Sequence, residues 1–168
     1  AHPAEFRKIC DELEEFGFDR GNTTVVPGNH DRIMFPRSES FETFFPEVTF
    51  PDVREIVPGI IIAGLDSNVP AENWSLWDLI SASTRGYIDP EQLRNLESKL
   101  DGITDEFVVT GIHHLPMQRR RIVKCVPEPL RKTYFDEPEH SKEFRKLARK
   151  LDTLVLCGHD HPKQSRVV

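Results

Sequence analysis

Five of the seven histidines fall in three short polar clusters, and these clusters are where the sequence could do chemistry. The clusters are Gly28-Asn29-His30-Asp31, His113-His114 and Gly158-His159-Asp160-His161. Imidazole nitrogens and amide or carboxylate oxygens are donors that divalent metals accept in proteins. The three clusters therefore predict a metal site, provided that the fold brings them together.

The last cluster places two imidazoles, His159 and His161, two residues apart. In an extended segment, side chains at this spacing point to the same side and lie about 6.5 Å apart along the chain. The metals of two-metal hydrolases lie about 3.5–4 Å apart. The pair therefore suits one metal or two neighbouring metals, although a solvated surface loop explains the motif equally well when it is taken alone.

The first cluster combines Asn29, His30 and Asp31 behind a glycine. An asparagine oxygen is a neutral, hard donor that can occupy a metal position without adding charge. Adjacent side chains point in different directions, so we expect Asn29 on the metal and His30 on the substrate. Asp31 would hold one ring nitrogen of His30 and fix its tautomer. The alternative is a plain turn after a strand.

The middle cluster, His113-His114, follows an apolar run and precedes Leu115-Pro116. One imidazole can turn towards a site while the other faces away. A histidine at a strand end is more often a hydrogen-bonded core residue than a ligand, so the pair is a weak signal by itself. The signal comes from the order of all three clusters.

Helical and extended patterns alternate along the chain, and this alternation predicts an α/β domain. We predict helices over Pro3–Gly17, Ser38–Phe45, Asp89–Leu100 and Ser141–Leu151, strands over Thr23–Val26, Val53–Val57, Ile60–Leu65, Phe107–Ile112 and, fully buried, Thr153–Cys157, and long loops over 66–87 and 116–138. Three of these strands end directly in a polar cluster. Ligands of α/β sheets gather at the carboxyl ends of strands, so one shared site is expected.

Composition narrows the class of protein. The 168 residues suit a single domain, and a net charge of −6 argues against nucleic acid as the partner. No run approaches the roughly 20 apolar residues of a membrane-spanning helix. The three cysteines form no Cys-x-x-Cys pair, and no secretion signal is visible at the start of the sequence. We therefore expect a cytoplasmic protein with no membrane partner.

The order of the motifs resembles the calcineurin-like metallophosphoesterase superfamily. Gly-Asn-His-Asp (28–31) is followed by Gly-Leu-Asp-Ser (64–67), His-His-x-Pro (113–116) and Gly-His-x-His (158–161). The pattern is most similar to the branch of bacterial cyclic nucleotide phosphodiesterases and glycerophosphodiesterases, of which Gly-Tyr-Ile (86–88) is also typical. The resemblance covers nearly the whole chain and implies a four-layer α/β/β/α sandwich with two metals at one end.

The resemblance implies a role for each matching residue of the metal site. Asn29, His113 and His159 would hold one divalent metal, and His161 would hold a second. The choice of the first histidine of the pair over His114 follows from the family pattern. Mixed nitrogen and oxygen ligation fits manganese, iron or zinc, and the ligand set does not choose among them.

The resemblance also implies catalytic and substrate-binding roles. His30 would contact the phosphate and protonate the leaving group or stabilise the transition state, with Asp31 orienting its ring. Arg119, Arg120 and Arg121 lie in the long loop after the histidine pair. Guanidinium groups match phosphate oxygens, so these arginines could form a phosphate-facing lid. A solvated run of charge is the alternative.

The implied reaction is hydrolysis of a phosphate ester by a water molecule bound between two metals. The substrate would be a small molecule: a phosphodiester such as a 3',5'-cyclic nucleotide, a glycerophosphodiester, a phosphomonoester or a nucleotide sugar. A different class of function is a non-catalytic metal-binding or interaction module, derived from a decayed or split phosphoesterase. A nuclease of the same fold is disfavoured by the acidic balance, and the sequence leaves the oligomeric state open.

One departure from the family pattern affects the expected activity. The family opens with an Asp-x-His motif and a Gly-Asp motif, which supply ligands and a bridging carboxylate, and neither occurs here. We therefore expect residues 1–168 to form one phosphoesterase domain that is truncated at both ends. Neutral ligands offset none of the charge of two divalent ions. At most one metal should be well held, and the isolated chain should show little or no activity.

Overall fold

The computed structural model describes residues 3–19, 21–32, 41–68, 86–114 and 140–158. Helices and strands are mixed in these ranges, as the alternating sequence pattern predicted. The helices are α1 (Pro3–Glu15), α2 (Asn29–Arg32), α3 (Phe41–Phe44), α4 (Pro90–Lys99) and α5 (Ser141–Lys150), and the strands are β1 (Asp52–Val57), β2 (Ile60–Leu65), β3 (Phe107–Ile112) and β4 (Leu154–Cys157).

The four strands form one mixed sheet in the order β1-β2-β3-β4. β1 and β2 are antiparallel and form the predicted hairpin around Pro58-Gly59, where Gly59 adopts a φ of 84° that suits a residue without Cβ. β2, β3 and β4 run parallel. Because these three strands share one direction, the residues that follow them emerge at the same edge of the sheet.

The two longer helices of the α/β layer begin and pack as their sequences predict. Asp89 caps α4 by accepting a hydrogen bond from the Glu91 backbone N–H at 2.8 Å, and Pro90 occupies the first turn, where its missing N–H costs nothing. On α5, Phe144 and Leu147 lie three residues apart and are both buried. Both helices thus turn an apolar stripe towards the sheet.

The main core lies between the sheet and the helices α4 and α5. Neighbouring strands place their alternate residues on one face, so that Ile61 lies beside Val108 and Leu65 beside Ile112. The cluster comprises Ile61, Ala63, Leu65, Ile88, Leu93, Leu96, Leu100, Val108, Ile112, Phe144 and Leu147. This core fixes the sheet against the helices and thereby fixes the edge at which β2, β3 and β4 end.

A smaller aromatic cluster holds α1 against α3. Phe6 of α1 packs with Phe41 and Phe45, and all three side chains are buried. The ring centroids of Phe41 and Phe45 are 4.9 Å apart, and those of Phe6 and Phe45 are 6.1 Å apart with nearly perpendicular planes. These are favourable aromatic geometries, and they secure the segments on either side of α2.

The predicted strand Thr23–Val26 is wrong. Residues 23–28 have no regular secondary structure and instead cross one face of the sheet. Thr24 and Val26 pack over Gly64, where an added Cβ would lie 2.4 Å from Thr24 Cγ2 and 3.1 Å from Val26 Cγ1. The β-branched residues therefore meet the sheet through side-chain packing over a glycine and not through a backbone ladder.

The prediction of a buried last strand is also wrong in part. β4 forms at Leu154–Cys157, but Leu154 and Leu156 are 50% and 54% exposed, and Cys157 is exposed as well. Among the described strands, β4 lies at the end of the order and pairs only with β3. This edge position explains the difference, because no other described strand lies beside β4.

The long loops lie mostly outside the described residues, which include neither 69–85 nor 115–139. In the described ranges, no helix combines the length and the hydrophobicity that crossing a membrane requires.

Candidate metal centre

Polar residues follow three neighbouring parallel strands at one edge of the sheet. Asp66, Ser67 and Asn68 follow β2, the His113-His114 pair follows β3, and Gly158 follows β4. The strand ends stay in register beyond the ladder, because the Gly158 N–H donates to the His113 carbonyl at 3.1 Å. The sheet therefore delivers the histidine pair to the edge where α/β proteins hold ligands.

The segment 27–32 is hydrogen-bonded to this edge of the sheet through Asn68. The Asn68 side-chain Nδ2 donates to the Pro27 carbonyl at 3.1 Å and to Asp66 Oδ1 at 2.7 Å. Asn68 is only 7% exposed, so both hydrogen bonds are shielded from water. The amide thus joins the exit of β2 to the loop that carries Asn29.

Asp31 closes the turn that starts α2. Its Oδ2 atom accepts a hydrogen bond from the Gly28 backbone N–H at 2.8 Å, and its own N–H donates to the Gly28 carbonyl at 3.1 Å. A carboxylate three residues into a helix that reaches back to the N-cap N–H is half of a capping box. This structural role of Asp31 was not predicted, while the side chain of His30, its predicted partner, lies outside the described residues.

Asn29 and His113 meet at the centre of the candidate site. The Nε2 atom of His113 lies 3.0 Å from Oδ1 of Asn29, Asn29 is 6% exposed, and His113 is half-buried. Octahedral ions hold their ligands at about 2.1 Å, so adjacent ligand atoms are separated by about 3 Å. The two donor atoms therefore have the spacing of neighbouring ligands of one octahedral ion, and they fit the metal that the motif implies.

Gly28 allows this approach because it has no side chain. A Cβ at Gly28 would lie 3.1 Å from Cε1 and 3.3 Å from Nδ1 of His113, and 3.3 Å from Oδ2 of Asp31. Gly158 bounds the same ring less tightly, since a Cβ there would lie 3.5 Å from Nδ1 of His113. The imidazole is thus held against backbone on its Nδ1 side, which directs Nε2 towards Asn29.

His114 faces away from Asn29 and is buried against Ser67. The Ser67 hydroxyl lies 2.8 Å from Nδ1 of His114 and accepts a hydrogen bond from the His114 backbone N–H at 3.1 Å. The rings of His113 and His114 pack edge to face, with centroids 4.9 Å apart and planes at 88°. His113 thus contacts Asn29, while His114 is buried against Ser67.

The Ser67–His114 contact has the spacing of a nucleophile and its general base. Ser67 is 0% exposed and His114 is 1% exposed, so neither is open to a substrate. The hydroxyl oxygen is moreover occupied by the His114 backbone N–H. A serine-hydrolase mechanism through this pair is therefore inconsistent with the structure.

Several predicted site residues lie outside the described residues. They are His159, His161, Arg119, Arg120 and Arg121. For His30 the structure places the backbone in α2, and its side chain is not described. The described chain thus brings together two of the predicted metal ligands, Asn29 and His113, and the roles of all the site residues stay predictions.

Within the described ranges, no three His, Cys, Asp or Glu side chains gather closely enough to hold a metal. The donors that do converge are one amide and one imidazole, which are both neutral. The third ligand predicted for the same ion is His159, whose position is not described.

Three residues of this edge were not predicted as contributors: Ser67, Asn68 and Gly86. Ser67 belongs to the Gly-Leu-Asp-Ser motif, and Gly86 to the Gly-Tyr-Ile motif, so the sequence marked their segments without giving them a role. One signal could have predicted the contact between Ser67 and His114. Ser67 lies two residues after β2, and His114 lies two residues after the parallel strand β3.

Comparison with models of known protein families finds no family that matches the chain, and comparison with curated proteins finds no similar sequence. The resemblance to calcineurin-like metallophosphoesterases therefore rests on the motifs.

Proposed function

We propose that the chain is a metallophosphoesterase domain that takes part in the hydrolysis of a small-molecule phosphate ester. The observation that carries the proposal is the 3.0 Å approach of Asn29 Oδ1 to His113 Nε2 at the carboxyl edge of parallel strands. These are the two donor types that the motif assigns to one metal. The two residues are 84 positions apart in the sequence, so their contact is a product of the tertiary fold and not of a local turn.

Asn29 and His113 would hold one divalent ion, manganese, iron or zinc, with His159 as the third ligand, and His161 would serve a second ion. When bound, such ions activate water as a nucleophile and neutralise charge on phosphate oxygens. The chain's own contribution is positioning. Gly28 leaves room for the imidazole to pack closely, and Asn68 anchors the loop that carries the amide.

His30 follows Asn29 in α2, so its backbone lies beside the proposed ligand. We propose that its imidazole gives a proton to the leaving oxygen of the ester, a role for which a group titrating near neutral pH is suited. Arg119 and Arg120 would bind the phosphate oxygens from the long loop. The substrates proposed are phosphodiesters, 3',5'-cyclic nucleotides among them, and phosphomonoesters.

The complete domain is proposed to be a four-layer α/β/β/α sandwich. Phe107, Leu154 and Leu156 are 52%, 50% and 54% exposed on the sheet face opposite α4 and α5. Parallel sheets normally have both faces covered. A second sheet on this face would cover these residues. The number and spacing of the cysteines further support a cytoplasmic location.

A second candidate function is a metal-binding or interaction module without catalysis. The observation that favours it is the neutral character of the two converging donors, because a pair of divalent ions normally requires carboxylates.

Metal analysis combined with a substrate panel distinguishes the two functions. The 168-residue chain and the chain extended upstream in its own gene would be purified, analysed for bound metal and assayed with manganese on cyclic nucleotides, bis-p-nitrophenyl phosphate and phosphomonoesters. The phosphoesterase proposal expects hydrolysis by the extended protein that His113→Ala abolishes. Bound metal without hydrolysis of any ester would favour the non-catalytic module.

A further inference from the structure

Ser67, Gly86 and His114 form a buried cluster behind the proposed metal ligands, and the proposed reaction does not use it. A single hydroxyl, that of Ser67, contacts both the backbone N–H and the ring Nδ1 of His114, at 3.1 Å and 2.8 Å. Contacts to the backbone and to the ring of the same residue restrict the side-chain torsions between them. Ser67 thus restrains the position of the His114 ring.

The Ser67 hydroxyl can bond to either neutral tautomer of the His114 ring. Its oxygen accepts from the His114 backbone N–H and keeps a second lone pair, and the hydroxyl also has one proton to donate. The contact with Nδ1 is therefore a hydrogen bond in one of two directions: the hydroxyl donates to an unprotonated Nδ1, or it accepts from Nδ1–H. In both cases the contact fixes the Nδ1 edge of the ring.

Gly86 forms the opposite boundary of the ring. A Cβ at Gly86 would lie 2.4 Å from Cγ and 2.6 Å from Nδ1 of His114, so the imidazole packs directly on the glycine backbone. Gly86 also has a φ of 74°, which residues other than glycine rarely adopt. The ring of His114 is thus enclosed between Ser67 and Gly86.

We infer that Ser67 is a positioning residue of the proposed metal site, acting through His114 on His113. His114 packs edge to face on the His113 ring at 4.9 Å, so its orientation limits that of His113. The inference rests on the proposed function to the extent that His113 holds a metal through Nε2. Binding geometry tolerates displacements of only about 0.5 Å or 10–20°, so a ring released from Ser67 weakens the site.

The test compares Ser67→Ala with Thr110→Val in the full chain at about pH 8, where histidine is mostly neutral. Thr110 is the matched control, because it is also 0% exposed and its hydroxyl is hydrogen-bonded, at 2.9 Å from Thr153 Oγ1, on the strand that the histidine pair follows. Long-range ¹H–¹⁵N spectra report the tautomer and environment of both histidine rings. Competition with a chromophoric chelator reports the affinity for Zn²⁺ alone.

Ser67→Ala should shift the ring signals of both His114 and His113 and weaken Zn²⁺ binding about 10- to 100-fold, the usual effect of losing a group that orients a metal ligand. Thr110→Val should change none of these readouts. Lost thermal stability alone would affect both variants and would leave the ring signals of His113 in place.

One result would overturn the inference. It is a Ser67→Ala chain in which the ring signals of His113 are unshifted and the Zn²⁺ affinity stays within twofold of the unmodified chain. If the unmodified chain fails to bind Zn²⁺, the proposed metal site fails, while the response of the His113 signals to Ser67→Ala in the metal-free chain still decides the positioning role.

Discussion

The Oδ1 atom of Asn29 and the Nε2 atom of His113 lie 3.0 Å apart, although 84 residues separate them in the sequence. Asn29 is placed by the first turn of α2, and His113 is placed by the end of β3. The contact therefore depends on two elements that have no local reason to meet. In the absence of metal it is a hydrogen bond, donated by Nε2–H, and a metal would take the place of that proton.

Asn29→Ala should weaken metal binding. The substitution removes one of the two donors that converge in the described chain. Loss of a residue that merely supports a ligand usually costs 10- to 100-fold, so we expect Zn²⁺ affinity to fall by at least about tenfold. Isothermal titration with Zn²⁺ measures the change. Asn95→Ala on the exposed surface of α4 is the control, and equal affinities for the two variants would remove Asn29 from the site.

Substitutions at the two glycines that bound the His113 ring should have graded effects. Gly28→Ala places a methyl group 3.1 Å from Cε1 of His113, which forces the ring or the loop to shift. Gly158→Ala places one at 3.5 Å from Nδ1, which is an ordinary contact. Zn²⁺ affinity should therefore fall in the Gly28 variant and stay within about twofold in the Gly158 variant. The reverse order would contradict the described packing of the ring.

Gly64→Ala should destabilise the fold by displacing the segment 23–28 from the sheet. The new methyl group would lie 2.4 Å from Thr24 Cγ2, and overpacking of this kind typically costs about 1–3 kcal/mol of unfolding free energy. Gly111→Ala is the control, because a Cβ there is 3.9 Å from Val26 Cγ1. Urea denaturation followed by circular dichroism measures both. A Gly64 variant as stable as the Gly111 variant would show that residues 23–28 do not cross the sheet here.

The ends of β3 and β4 could be predicted from sequence, whereas the surroundings of each strand could not. β3 occupies the predicted residues Phe107–Ile112, because a short apolar run that ends at a polar pair is typical of a buried strand. Thr23–Val26 has the same local signal of β-branched residues but pairs with no neighbour as a strand. The difference arises from Gly64, a residue about 40 positions away that offers packing space for Thr24, and local propensity contains no such information.

The candidate site shows the same division. The motif order predicted that Asn29 and His113 would share a site, and the structure places their donor atoms together. The burial of His114 on Ser67 needs the parallel register of β2 and β3, which pairs Leu65 with Ile112. The sequence marked both motifs but not that register, so the hydrogen bond between them was missed.

Leu156→Lys should cost little stability in this chain. Leu156 is 54% exposed at the edge strand, and exposed substitutions usually change unfolding free energy by no more than about 0.5 kcal/mol. Leu96→Ala in the core, where the side chain is 1% exposed, should cost about 2–5 kcal/mol. Thermal denaturation measures both variants. In the chain extended upstream, a large loss of stability for Leu156→Lys would indicate that a further layer covers this face.

The most direct test of the central claim is the position of a bound ion in the 168-residue chain. Substoichiometric Mn²⁺ broadens NMR signals of nearby nuclei. We predict that the side-chain amide of Asn29 and the ring protons of His113 broaden first, while the side-chain amide of Asn95 stays sharp. Broadening centred instead on the acidic residues at the opposite edge of the sheet, Glu97 and Asp101, with His113 unaffected, would contradict a metal site built on Asn29 and His113.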